Sequence, residues 1–279
     1  MIARDITLER MDEAHLDGAV RLSREAGWPH RRDDWAMVLS ASDGLVALED
    51  EAVVGTILLT RFDPSVAAIN MVIVDGALRG RGLGRRLMDA ALADAGHRQC
   101  RLIATQEGLP LYEKLGFVAT GEIVQHQGVL RPVSAPPGVE DARGDDLSRL
   151  ADLDAMAQGF RRDRVFAALA RSAQFVVIRE EGVAQAFAAR RLFGRGTVVG
   201  PIIARSKGEA LRLLDALLAR EAPGAFVRVD ADRAVGLGEC LAERGLAHVG
   251  GGITMRRGQP TPAPATPCRV FTLINQAFG

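Results

Sequence analysis

The chain has 279 residues, long for one compact domain and comfortable for two. Apolar residues make up 48% and charged residues 25%, with 35 basic against 35 acidic side chains, so a large core is expected and nothing draws the whole molecule to nucleic acid or an anionic membrane. Cys100, Cys240 and Cys268 form no paired motif and the histidines show no ligand spacing, which argues against a disulfide framework and against a bound metal. No apolar run approaches the ~20 residues of a membrane span, and the N-terminus lacks the shape of a secretory signal. A cytoplasmic protein is expected. Its cations are nearly all Arg (Lys only at Lys114 and Lys207), which with the abundant Ala and Gly reads as bacterial coding bias, not RNA binding.

In chain order, Ile6-Thr7-Leu8 reads as a short strand. Asp12 caps a helix with Leu16, Ala19, Val20 and Leu22 on its apolar face, ended by Gly27. Both tryptophans fall between Trp28 and Trp35, and a second helix is expected over about 34–39. Residues 45–48 and 53–59 are strands of a hairpin around Glu49-Asp50-Glu51. A Val- and Ile-rich buried strand ends at Val74. The loop Arg79-Gly80-Arg81-Gly82-Leu83-Gly84 follows, then Leu83, Leu87, Met88 and Leu92 recur at helical spacing. Residues 101–105 are another buried strand, 109–115 a short helix closed by Gly116, and Phe117 opens a further strand. The proline-rich stretch 131–138 is a semi-stiff linker.

The pattern then repeats. A helix over 146–156, Arg161-Arg162-Asp163 echoing Arg31-Arg32-Asp33, and strands at 175–178, 183–192 and 198–204 retrace the first half. A helix over about 209–220 and a strand at 225–229 complete the echo. The segmentation is 1–130, a linker at 131–139, 140–258, and a tail at 259–279 whose apolar end is expected to dock on the body.

The strand–loop–helix junction carries the chemistry. The first turn of a helix offers unpaired N–H groups and a positive dipole end, and glycines let an anion reach them. The loop lacks the Gly-Lys-Ser/Thr of a P-loop, and its glycine spacing is not the dinucleotide fingerprint. Arg79-x-x-Gly82-x-Gly84 resembles the acyl-CoA loop of the GNAT superfamily of N-acetyltransferases. Leu111-Tyr112-Glu113-Lys114-Leu115-Gly116-Phe117 is similar to that family's second signature, and the order of elements matches. The resemblance covers about residues 1–130, with a divergent second copy over 140–258.

That resemblance implies an α/β (α+β mixed sheet) fold of two tandem GNAT-like domains, each a central mixed sheet flanked by helices with splayed fourth and fifth strands. It implies transfer of the acetyl group of acetyl-CoA to a primary amine of a small molecule by direct attack, without a metal. The backbone amides of Arg79, Gly80, Arg81, Gly82, Leu83 and Gly84 would hold the pyrophosphate, with the side chains of Arg79, Arg81, Arg85 and Arg86 adding positive charge, and Met71, Val72, Ile73 and Val74 would hold the pantetheine arm. Tyr112, the only tyrosine, would protonate the leaving thiolate, with an N–H near Val72 as oxyanion donor. Glu107 is a candidate base beside Asp75, Glu49, Glu51 and a water chain. Trp28, His30, Asp34 and Trp35 would contact the amine. Neither nucleic acid nor membrane is an implied partner, and the chain would be a monomer or homodimer. In the second half Arg205-Ser206-Lys207-Gly208-Glu209-Ala210 has one glycine and an acid at its mouth, and Leu241 stands at the tyrosine position, so this half reads as a non-catalytic partner shaping the pocket. Two rival readings are a CoA or amine sensor without turnover, and an acetyltransferase of protein lysines or N-termini.

Overall fold

The computed structural model describes residues 5–259 and 266–279. The first half contains β1 (Ile6–Arg10), α1 (Leu16–Glu25), α2 (Arg32–Ser40), β2 (Asp43–Glu49), β3 (Ala52–Arg61), β4 (Val66–Val74), α3 (Leu83–Ala95), β5 (Gln99–Ala104), α4 (Leu109–Lys114) and β6 (Val118–Val129). The second half contains β7 (Glu140–Asp141), α5 (Leu147–Gln158), α6 (Asp163–Ala170), β8 (Gln174–Glu180), β9 (Val183–Phe193), β10 (Gly196–Ala204), α7 (Lys207–Leu218), β11 (Phe226–Asp232), α8 (Gly238–Glu243) and β12 (Ala247–Arg257). The tail adds β13 (Arg269–Thr272); its proline-rich approach lies partly outside the described residues. No helix among the described residues is long and apolar enough to cross a membrane.

Local chemistry accounts for these boundaries. Asp12 accepts a hydrogen bond from the Ala14 N–H at the start of the first helical segment. Leu83, Leu87, Met88, Ala91 and Ala95 form the buried stripe of α3. β3 is buried on both faces, as expected of a strand covered by helices on each side. Leu58 faces the core under α1 and α2, whereas Ile57 and Leu59 face the core under α3, the two-residue period of a strand.

The strands form one mixed sheet in the order β1-β2-β3-β4-β5-β12-β6-β11-β13-β10-β9-β8-β7. The order reads alike from both edges, with β1 to β6 answered by β7 to β12. Each half gives its last strand to the other: β12 pairs with β5 through Met255–Leu102, and β6 pairs with β11 through His126–Val229. β6 and β12 pair with each other at the centre. Helices α1, α2, α5 and α6 share one face and a common core that joins Trp35, Leu22, Leu150, Phe166, Phe187 and Phe278. β13 alone has no counterpart, and it lies between β10 and β11.

Candidate active site

β4 and β5 run parallel only from Val66–Gln99 to Ala68–Arg101 and then part. The gap is a cleft of about 680 Å³ that runs from Ile69–Val74 past Gly80, Gly82 and Gly84 to Tyr112. Gly80 and Gly82 have φ of +76° and +83°, a left-handed backbone that disfavours any Cβ. Gly82 is the N-cap of α3 and carries no capping side chain, so the first-turn amides are left for a ligand. The unpaired edge of β4 and this bare helix end suit the pantetheine and pyrophosphate of CoA respectively.

Met71 and Val72 lie opposite Ile57 as a bulge in the β3–β4 ladder, between the pairs Thr56–Ile73 and Leu58–Asn70. Met71 takes φ +51°, and its carbonyl accepts from Thr56 Oγ1 at 2.8 Å. Tyr112 is buried on α4, edge-on to Phe117 at 6.1 Å, and burial pushes its phenol up to about 12. Around the loop Arg79 reaches Glu107 at 3.1 Å; Glu107 lines this cleft and is 80% exposed. Arg85 pairs with Asp89, and the side chains of Arg81 and Arg85 do not line the cleft.

The cleft opens into a second cavity of about 220 Å³, sharing Trp28, Ile69, Asn70, Met71, Ile103 and Thr105. Both halves build it. The first half supplies Trp28, Pro29, His30 and Asp34, and the second supplies Phe193, Arg228, Gly251, Asn275, Gln276 and Ala277. His30 stands edge-on to Trp28 and Phe193 at 5.7 and 5.6 Å. Burial lowers its pKa to about 4, against the pull of Asp34 and helped by Arg228 and Arg191, so the imidazole is neutral at pH 7. Ser23 Oγ lies 3.2 Å from His30 Nδ1 and accepts from Trp35 Nε1 at 2.8 Å.

Two of the expected acceptor contacts change role. Trp35 is 0% exposed and does not line the cavity; it is a core residue that orients Ser23. Asp34 lines the cavity but its oxygens are occupied. They accept from the Arg31 N–H at 2.9 Å, from Arg31 Nε and Nη2 at 3.1 and 2.9 Å, and from the Gly194 N–H at 3.0 Å. Arg191 Nη1 adds a contact at 3.5 Å. Burial alone would raise the Asp34 pKa, but these hydrogen bonds hold it below the usual carboxylate range. Asp34 therefore clamps α2 to the β9–β10 turn.

Asn70, at the junction of the two cavities, was not anticipated. Ser42 gives its proton to the Val38 carbonyl (2.8 Å), so the 2.6 Å contact with Thr60 is donated by Thr60. Thr60 can then only accept from Asn70, which must present Nδ2 (2.9 Å). Its Oδ1 is left buried without a partner.

The corresponding places in the second half are filled. β13 occupies the gap between β10 and β11, pairing Thr272 with both Ile202 and Ala231. A Cβ on Gly200 would stand 1.8 Å from the Leu273 carbonyl oxygen, so the tail is seated against bare backbone. Ser206 caps α7 by accepting from the Glu209 N–H, and Glu209 in turn accepts from the Arg205 N–H at 2.9 Å. Leu241 is fully buried in the core.

The acetyltransferase (GNAT) family matches residues 8–117, and an acetyltransferase (GNAT) domain matches residues 150–267. The chain is 29% identical over 227 residues to YitH of Bacillus subtilis (strain 168), an uncharacterized N-acetyltransferase, covering 76% of this chain and 78% of that one. A putative acetyltransferase from Pyrococcus horikoshii superposes with a TM-score of 0.82 at 20% identity, covering 100% of this chain and 98% of that one. A tandem GNAT protein from the clavulanic acid biosynthesis pathway gives 0.62 at 15% identity, covering 92% of this chain and 100% of that one. The chain belongs to the GNAT acetyltransferase family, as an acyltransferase with two GNAT domains in tandem.

Proposed function

We propose that residues 1–130 catalyse transfer of the acetyl group of acetyl-CoA to a primary amine of a small cytoplasmic molecule, and that residues 140–258 and the tail shape its acceptor site. The observation that carries this reading is the continuity of a CoA-sized cleft with a small cavity walled by both halves. A cavity of about 220 Å³ falls below the ~300–1,000 Å³ of drug-sized pockets, which favours a small acceptor over a folded protein.

The amine nitrogen attacks the thioester carbonyl carbon, the C–S bond breaks, and Tyr112 gives its phenol proton to the departing thiolate. A phenol with pKa near 12 is protonated at every working pH and so always carries that proton. The Met71–Val72 bulge, with the Met71 carbonyl tied to Thr56, leaves the Val72 N–H as donor for the developing oxyanion. Asn70 Oδ1 is the natural acceptor for an N–H of the incoming amine. The ammonium proton leaves through water, because Asp34 is occupied and Glu107 is exposed and does not line the smaller cavity.

The test is steady-state release of free thiol from acetyl-CoA with a panel of amines. Tyr112→Phe should lower turnover more than about tenfold with acetyl-CoA affinity nearly unchanged. An unaltered rate would remove Tyr112 from the mechanism, and binding of acetyl-CoA without turnover of any amine would favour a sensor.

A further inference from the structure

Only two charged side chains, Asp34 and Arg228, line the acceptor cavity among the described residues, with His30 neutral. Asp34 is occupied by Arg31, Arg191 and the Gly194 amide. Arg228 has an uncommitted edge. Its Nε and Nη2 form a fork on the fully buried Asp230 at 2.9 and 3.0 Å, which fixes the guanidinium plane. Nη1 makes no hydrogen bond among the described residues. The Phe193 ring packs 5.1 Å from the guanidinium carbon and completes its setting.

The tail supplies the neighbours. Gln276 Nε2 donates to Asp230 Oδ1 at 2.9 Å, which holds the tail against the Arg228–Asp230 pair. Asn275 uses its Oδ1 to accept from the Phe278 N–H at 3.0 Å, leaving its amide nitrogen as a donor. Around the cavity the three cations Arg31, Arg191 and Arg228 face the two anions Asp34 and Asp230, an excess of one positive charge. An amine with no other charge gains nothing from this wall. A carboxylate there would gain a charge-assisted hydrogen bond in partly dehydrated surroundings.

We infer that the acceptor is an amine that also bears a carboxylate, with the carboxylate held by Arg228 and Asn275 on the second-half side and the amine facing Asn70 on the CoA side. The inference rests on the acetyltransferase reading of the same cleft and names its substrate class. The second half thereby becomes the specificity element of a site whose chemistry lies in the first.

The experiment measures thiol release by the full-length protein with three matched acceptors: an amino acid, its carboxamide and its decarboxylated amine. The kcat/KM for the amino acid should exceed the other two by about 100-fold, in the range expected for a lost charge pair. The double change Arg228→Gln with Asp230→Asn replaces the ion pair by a neutral hydrogen-bonded pair. It should bring that preference within about threefold of unity, mainly through KM. Should the double variant fail to fold, the wild-type series decides alone. Equal wild-type turnover of the carboxamide or the decarboxylated amine would overturn the carboxylate assignment while leaving acetyl transfer intact. Thiol release with none of a broad amine panel would instead overturn the acetyltransferase reading itself.

Discussion

Asp34→Asn separates two roles that one carboxylate can play. The change keeps the shape of the side chain and removes its charge. Arg191 is 3% exposed, and Asp34, itself 2% exposed, is its one ion-pair partner among the described residues. Arg191 is already costly: its Nε and Nη2 are buried without partners, and burial lowers its pKa to about 10 despite Asp34. Removing one member of a buried pair typically costs about 3–5 kcal/mol. The 3.5 Å contact is long and Arg31 is 35% exposed, so it can rehydrate; both place the expected loss near about 3 kcal/mol. Urea unfolding followed by circular dichroism measures it. Adding Arg191→Met to the variant should restore most of the loss, because the stranded cation goes with it. An unchanged unfolding midpoint, together with a KM for the amine raised tenfold or more, would refute the clamp and make Asp34 an ammonium anchor.

Further outcomes follow from the same geometry. Gly82→Glu places a side chain at φ +83° and a carboxylate at the bare end of α3, and should abolish CoA binding in calorimetric titration; Gly208→Glu should leave one CoA bound per chain, and loss of binding there would reverse the roles of the halves. His30 titrates near 6.5 when unfolded and near 4 when folded, so stability is full above pH 6.5 and declines as pH falls from 6.5 to 4, by at most about 3 kcal/mol. Melting temperatures of wild type and His30→Gln across that range should converge at low pH, and parallel curves would remove His30 from the effect. A fragment of residues 1–138 lacks β12 and its Met255 and should show no near-ultraviolet circular dichroism. A folded, active fragment would contradict the strand exchange.

The loop and the tyrosine signature were legible because their geometry is local. A glycine at a helix start and a tyrosine one turn before a closing glycine carry their meaning within a few residues. Trp28 and His30 line the smaller cavity, but aromatic content alone could not separate them from Trp35, whose ring is buried to hold Ser23. Arg228, Asn275 and Gln276 were out of reach. They arrive through pairings such as Arg228–Gln127 and the Leu273 N–H to the Asp230 carbonyl, and periodicity reveals a strand without its partner. β12 hid for another reason. Its Gly251-Gly252 looks like loop, yet these glycines let the strand pass where a Cβ would lie 1.9 Å from the Ile123 carbonyl oxygen and 2.5 Å from the Ile103 side chain.

The exchange of last strands also sets a timetable for synthesis. Leu102 pairs with Met255, so β5 waits for more than half of the chain to be made before its neighbour exists. At about 5–20 residues per second that interval is roughly 8–30 s. For that time the edge of β5 is open backbone on a growing polypeptide, and both edges of β6 are open until β11 is made, the condition that invites pairing with another chain. A ribosome that slowed within the second half would lengthen the exposure, and a chaperone holding the first half would cover it. The first half is made first, yet its sheet closes only when β12, near the end of the chain, has been made.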